Sequence, residues 1–169
     1  MADINFLKAV LSTTPARLNA LMQAFPDDLL RLAPAPGEWS PIEVLYHLLF
    51  AERTFTARLK ALLAGENISV PWPGPENPDA SPIELAAQFE TLRAETLALL
   101  EQVTPEDFAR QSMHPKMGLV TMLNVLSYWG GHDLMHLVQI EQALMLPFRA
   151  DSGPWDIRFA KHVPNSAAT

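Results

Sequence analysis

Two histidines stand four residues apart in the run GGHDLMHLVQIEQAL, at His132 and His136. On a helix, where successive side chains turn by about 100°, they share a stripe with Met122, Val125, Trp129, Ile140 and Ala143. Both rings therefore replace core residues on an inward face, stacked on adjacent turns and close enough to share one metal ion. A third histidine, His47, lies in VLYHLLFAER, at the edge of an apolar stripe of Val44, Leu48, Ala51, Phe55 and Leu62. If the two helices are neighbours, three neutral imidazoles meet and leave one coordination position open, the arrangement of a catalytic metal site. Spacing alone leaves a second possibility, that the rings are packed core residues. The metalloprotease pattern H-E-x-x-H is absent, because Asp133 follows His132.

Several further residues bear on such a site. Glu43 reads first as a helix cap, but with Asp133 it is a candidate to orient a ligand ring or to take part in catalysis. Gln139 reads either as support for a ligand or as part of a solvated face. His114 and His162 fall in loops and read as surface residues, and Trp39 reads as a plug at a loop–helix junction.

The composition narrows the chemistry. The chain of 169 residues has no cysteine, which removes disulfides, thiolate nucleophiles and cysteine-ligated zinc, so a metal must be held by His, Asp or Glu. With 49% apolar and 18% charged residues the chain is globular in character, and 169 residues suit a single domain, with a core over about 3–147 and an irregular tail over 148–169. A net charge of −7 with no basic cluster argues against a nucleic-acid partner. The N-terminus lacks the apolar core of a signal peptide, and no window is long and apolar enough for a membrane span, so a cytoplasmic protein is expected.

Four helices must position these groups. SPIE occurs twice, at Ser40–Glu43 and Ser81–Glu84. In each, Ser suits the N-cap, Pro the first helical position and Glu the third, a capping box. TPAR at Thr14 and TPED at Thr104 are weaker versions. The pattern predicts a first helix from about Thr14 to Phe25 preceded by a turn over Asp3–Leu11, a second over Pro41–Ala64 ending at Gly65, a third over Pro82–Val103, and a fourth over Leu119–Leu146 ending at Pro147. MGLVTML has some β character but leads into the fourth helix. The Pro-rich ENISVPWPGPENPDA between the second and third helices predicts an extended crossover pinned by Trp72, and Trp155 and Phe159 are expected to pack the tail onto the body. The expected fold class is all-α, a four-helix bundle with one long crossover loop between helices 2 and 3.

PAPGEWSPIEVLYHLLFAE followed some eighty residues later by HDLMHLVQIEQAL resembles the DinB/YfiT-like (DinB-like) superfamily, and the likeness runs from TTPARLNALM to LMLPF. The resemblance implies an up-down-down-up four-helix bundle with a divalent metal, commonly zinc or nickel, on three histidines, which correspond to His47, His132 and His136. It also implies thiol-dependent enzymes among the relatives: mycothiol-dependent maleylpyruvate isomerase and bacillithiol S-transferases.

The expected function is accordingly a metal-dependent enzyme of the thiol-dependent S-transferase type, with a low-molecular-weight thiol as cosubstrate at the open position and a small-molecule substrate. The alternatives are a metal-dependent hydrolase, and a non-catalytic stress-response or binding bundle in which the metal only joins two helices. The cavity is expected between the second and fourth helices, with Glu43, Phe50, Trp129 and Asp133 near its mouth and PWPGP as a lid. A second apolar face on the fourth helix, Leu123, Gly130, Leu134 and Val138, predicts a homodimer.

Overall fold

The computed structural model describes residues 4–68, 80–159 and 162. The described elements are α1 (Ile4–Ala24), α2 (Asp27–Leu30), α3 (Pro41–Ala64), α4 (Pro82–Leu100), a 3-10 turn over Pro105–Ala109, strands β1 (Gln111–His114) and β2 (Gly118–Thr121), α5 (Met122–Leu144), α6 (Leu146–Asp151) and a 3-10 turn over Gly153–Arg158. The four long helices form the bundle. Both SPIE segments start helices as expected, with capping boxes at Ser40 and Ser81. Gly65 ends α3 in the left-handed conformation, φ 74°, which glycine adopts without strain.

Two apolar clusters set the direction of each helix. One joins Leu18 and Met22 of α1, Val44 and Leu48 of α3, Leu85 and Phe89 of α4, and Leu137 and Ile140 of α5. The other joins Leu7 and Leu11 of α1, Phe55 and Leu59 of α3, Leu100 of α4, and Met122 and Trp129 of α5. The start of α3 thus lies level with the start of α4 but with the ends of α1 and α5, which makes the bundle up-down-down-up. Around it, α1 packs on α4 and α5, and α3 packs on the same two helices. The adjacency of α3 and α5 is what the histidines require.

Several boundaries differ from the sequence reading. The first helix is one unbroken element that runs through Pro15. TPAR is therefore not a helix start, and the Thr14 hydroxyl donates back to the Val10 carbonyl within the helix. Pro15 has no N–H for the Leu11 carbonyl one turn earlier, and that carbonyl instead accepts a 2.8 Å bond from Arg93 Nη1. A buried side chain thus satisfies the acceptor that proline leaves open.

The third helix stops at Leu100, after which TPED caps a 3-10 turn. The fourth starts at Met122, because the residues before it pair as a β-hairpin with Gln111 opposite Thr121 and His114 opposite Gly118. Buried Ser112 fastens this hairpin to the end of α3, accepting from the Ile68 N–H and donating to the Glu66 carbonyl. Beyond α5 the chain is helical through Arg158, organised by the Arg149–Asp156 ion pair, and Trp155 is exposed rather than packed. Gly130 is buried within the chain, where a Cβ would meet the Leu7 side chain at 3.0 Å, so it is not free for a second subunit; Leu134 and Val138 are exposed. The expected crossover, its Trp72 pin and the PWPGP lid fall on 69–79, outside the described residues. No helix among the described residues is long and apolar enough to cross a membrane.

Candidate metal centre

His47 on α3 and His132 and His136 on α5 come together where the two helices pack. One ring nitrogen from each lies within 4.8 Å of the others, and the Nε2 atoms of His47 and His132 are 3.0 Å apart. Ring centroids are separated by 5.0 Å (His47–His132), 4.5 Å (His47–His136) and 4.4 Å (His132–His136). A tetrahedral ion with metal–nitrogen bonds near ~2.1 Å needs its nitrogens about 3.4 Å apart, so small ring rotations bring this triad to that spacing. The donor set therefore fits a divalent transition-metal ion.

Electrostatics favour the protonation state that ligation needs. Burial, reinforced by the nearby His136, pushes His47 down to about 4. Burial, with His136 and His47 adding to it, pushes His132 down to about 3. His136 is lowered too, chiefly by burial, with the Gln139 hydrogen bond working against the shift. All three rings are neutral near pH 7, each with a lone pair to offer.

The surroundings assign the supporting roles. His136 Nδ1 lies 2.8 Å from Gln139 Oε1. An amide oxygen only accepts, so Nδ1 carries the proton and Nε2 is left for a ligand. His132 Nδ1 is buried with no hydrogen-bond partner among the described residues. Trp39 lies over the site rather than plugging a junction, with its ring 4.9 Å from His47 and stacked 6.2 Å from His136.

Glu43 and Asp133 sit in other networks. Glu43 accepts from both the N–H and the hydroxyl of Ser40 as the cap of α3. Asp133 is buried and accepts a 2.7 Å bond from Arg93 Nη1, while Arg93 Nη2 donates to Glu52, also at 2.7 Å.

A cleft of about 320 Å³ opens beside the triad, lined by His47, His132 and Phe50, by Phe55 and Arg58 from further along α3, and by Tyr128 and the hairpin's His114 and Lys116. Of the expected mouth residues only Phe50 lines it, since Trp129 is wholly buried in the core. Sequence reading passed over Arg58, Lys116 and Tyr128 and placed His114 on the surface. Arg58 alone left a signal, standing eleven residues after His47 and so on the same face of α3.

The model of the DinB superfamily matches residues 11–140. YfiT of Bacillus subtilis, named as an inferred metal-dependent hydrolase, is 25% identical over 141 residues, 79% of each chain. OB0782 of Oceanobacillus iheyensis carries the same description and is 26% identical over 147 residues, 82% of this chain and 81% of the relative. The solved structure of B. subtilis YfiT, described as having an unusual four-helix bundle topology, superposes with a TM-score of 0.73, covering 83% of this chain and 85% of that one. The DinB-like protein YjoA of B. subtilis shares the fold, with a TM-score of 0.63 at 21% identity over 84% and 92% of the two chains. With three quarters of its length matched by the family model and its bundle shared with YfiT, the chain belongs to the DinB superfamily.

Proposed function

We propose that this protein is a metal-dependent enzyme acting on a small molecule, with His47, His132 and His136 as its ligands, and that the reaction is hydrolysis. The observation that carries the reading is the convergence of three neutral imidazoles beside an open cleft. No fourth ligand is offered by His, Asp or Glu among the described residues, so a position stays available to an outside molecule. A divalent ion, zinc or nickel, would supply a Lewis acid there and lower the pKa of a coordinated water or thiol. The chain's own groups do the rest. Gln139 holds His136 with Nε2 outward, Trp39 shields the site from one side, and the cleft receives the substrate. The inferred activity of YfiT and OB0782 favours hydrolysis. Thiol-dependent S-transfer is the second reading, favoured by a cysteine-free chain and by a cleft with room for more than a water molecule. A homodimer through exposed Leu134 and Val138 belongs to the proposal; a monomeric mass by light scattering would reject it.

Metal analysis and turnover test the reading together. Wild-type protein should bind one equivalent of divalent ion, and His47→Ala should bind it far more weakly. Undiminished stoichiometric binding by His47→Ala would remove His47 from the site. Metal-loaded protein should hydrolyse members of an ester and amide panel, with activity lost in His136→Ala. Turnover that instead needs a low-molecular-weight thiol and an electrophile such as a chloro-nitro-arene would establish the transferase reading.

A further inference from the structure

The cleft beside the triad has a charge opposite to that of the chain. The protein carries a net charge of −7, yet among the described residues no Asp or Glu lines this cleft, and Arg58, Lys116 and His114 all do. Arg58 is half-buried with its guanidinium 5.4 Å from the centre of the Phe55 ring, and its Nε is buried without a hydrogen-bond partner. No carboxylate pairs with it among the described residues. A half-buried guanidinium with an orphaned donor carries a cost that an acceptor would relieve. Burial disfavours its charge, with only Tyr128 opposing.

The other two groups arrive from the hairpin. His114 Nδ1 accepts from the backbone N–H groups of both Lys116 and Met117, at 3.1 and 3.2 Å. Its proton therefore sits on Nε2, which remains a donor. The exposed Lys116 adds a mobile ammonium, and Gly118, with φ 73°, closes the turn that presents both residues. Ser112 fixes the hairpin to the end of α3, so these groups are held opposite Arg58.

The geometry points to an oxyanion subsite: Arg58, Lys116 and the Nε2–H of His114 hold a carboxylate or phosphate group of the substrate while its reacting end lies at the histidine triad. Arg58 stands three helical turns beyond His47 on the same face of α3, about 16 Å along the axis, and its side chain leans back toward the triad. The span between guanidinium and triad suits a small, elongated molecule with an anionic end, and a cleft of about 320 Å³ accommodates one. The inference rests on the proposed metal reading only for where the reacting end sits; the cationic end stands independently.

The test compares metal-binding hydroxamates that differ at the far end. Succinic, adipic and suberic monohydroxamates carry a carboxylate, hexanohydroxamate carries none, and a phosphonate-ended analogue supplies the other anion. Binding to metal-loaded protein is measured by calorimetry. The best anionic member should bind about ten- to hundredfold more tightly than hexanohydroxamate, the range expected for hydrogen bonds to a charged group. Whichever of the carboxylate and phosphonate arms gains more identifies the anion. Arg58→Gln and, separately, Lys116→Gln on the exposed turn should reduce this preference while leaving hexanohydroxamate affinity unchanged. Equal affinity for charged and uncharged probes, or a preference that survives both substitutions, would overturn the proposal. Should the protein bind neither metal nor any hydroxamate, the metal reading fails instead. Adipate and hexyl phosphate alone then decide: Arg58-dependent binding sustains the subsite, and its absence removes it.

Discussion

Replacing Arg93 with methionine probes the centre of the bundle. Arg93 is 1% exposed and lies between the two apolar clusters. From α4 it reaches the other three long helices, donating to Glu52 on α3 and Asp133 on α5, each at 2.7 Å, and to the Leu11 carbonyl on α1 at 2.8 Å. Thr96 adds a 2.6 Å bond to the second Glu52 oxygen. Methionine matches the length of the arginine stem and removes the charge. Two carboxylates, with side chains 1% and 2% exposed, then have no countercharge, and the Leu11 carbonyl beneath Pro15 has no donor. Breaking a buried ion pair from one side costs about 3–5 kcal/mol. At roughly 2–4 °C per kcal/mol for a chain of this size, the melting temperature should fall by about 6–20 °C. Glu52→Gln is the control. It keeps an acceptor and leaves one cation facing one carboxylate, so its cost should stay near ~1 kcal/mol. Urea unfolding followed by circular dichroism, with unchanged m-values, measures both. A loss below about 1 kcal/mol in Arg93→Met, or equal losses in the two variants, would refute this account of the network.

Other expectations follow from the same geometry. In metal-free protein His47 titrates at about 4 and His132 at about 3, both below the ordinary value of 6.5 found in the unfolded chain. The unfolded state thus takes up protons first as pH falls, so stability should be flat above pH 6.5 and decline from there toward those values, and His132→Gln should flatten the decline between about pH 6.5 and 5, before most carboxylates titrate. Thermal unfolding across that range checks the slope, and a melting temperature that rises on acidification would contradict it. Gly65→Ala forces a side chain into φ 74° at the end of α3 and should cost about 1 kcal/mol, read by the same urea titration. Stripping the metal with a chelator should leave the far-UV spectrum unchanged and keep a cooperative melt; collapse of helicity would move the metal from chemistry to structure.

How far the sequence could be read varied with the kind of signal. The bundle was legible because its helices carry long apolar stripes and two capping boxes, and the His132–His136 pair because a four-residue spacing maps onto one helix face. TPAR reads as a helix start, which cuts the first helix short, whereas α1 runs unbroken through Pro15. Only the position of Arg93, seventy-eight residues away in sequence, explains why a helix runs through it. The hairpin was missed because Gln111–His114 shows no clean alternation, and a two-stranded ribbon lying on a helical body does not need one. Trp39 reaches the site from a loop and Lys116 and His114 from the hairpin, and no periodicity connects such positions to a helix face.

Asp133 and His132 are adjacent in sequence, and that adjacency connects the ion network to the candidate metal centre. Side chains one position apart diverge by about 100° around a helix. When His132 faces the α3 seam, Asp133 faces the interior, where Arg93 waits. On α3, His47 and Glu52 divide the same way, Glu52 binding Arg93 while His47 meets His132. The guanidinium therefore ties together the two helices that carry the three histidines, close to where their rings converge. Apolar packing on both sides of this level adds to the restraint. A triad held this way does not depend on an ion to bring its helices together, in contrast to small zinc domains that fold only on binding. The fold therefore leaves the triad free to accept an ion without relying on one, because Arg93 bonds to both α3 and α5.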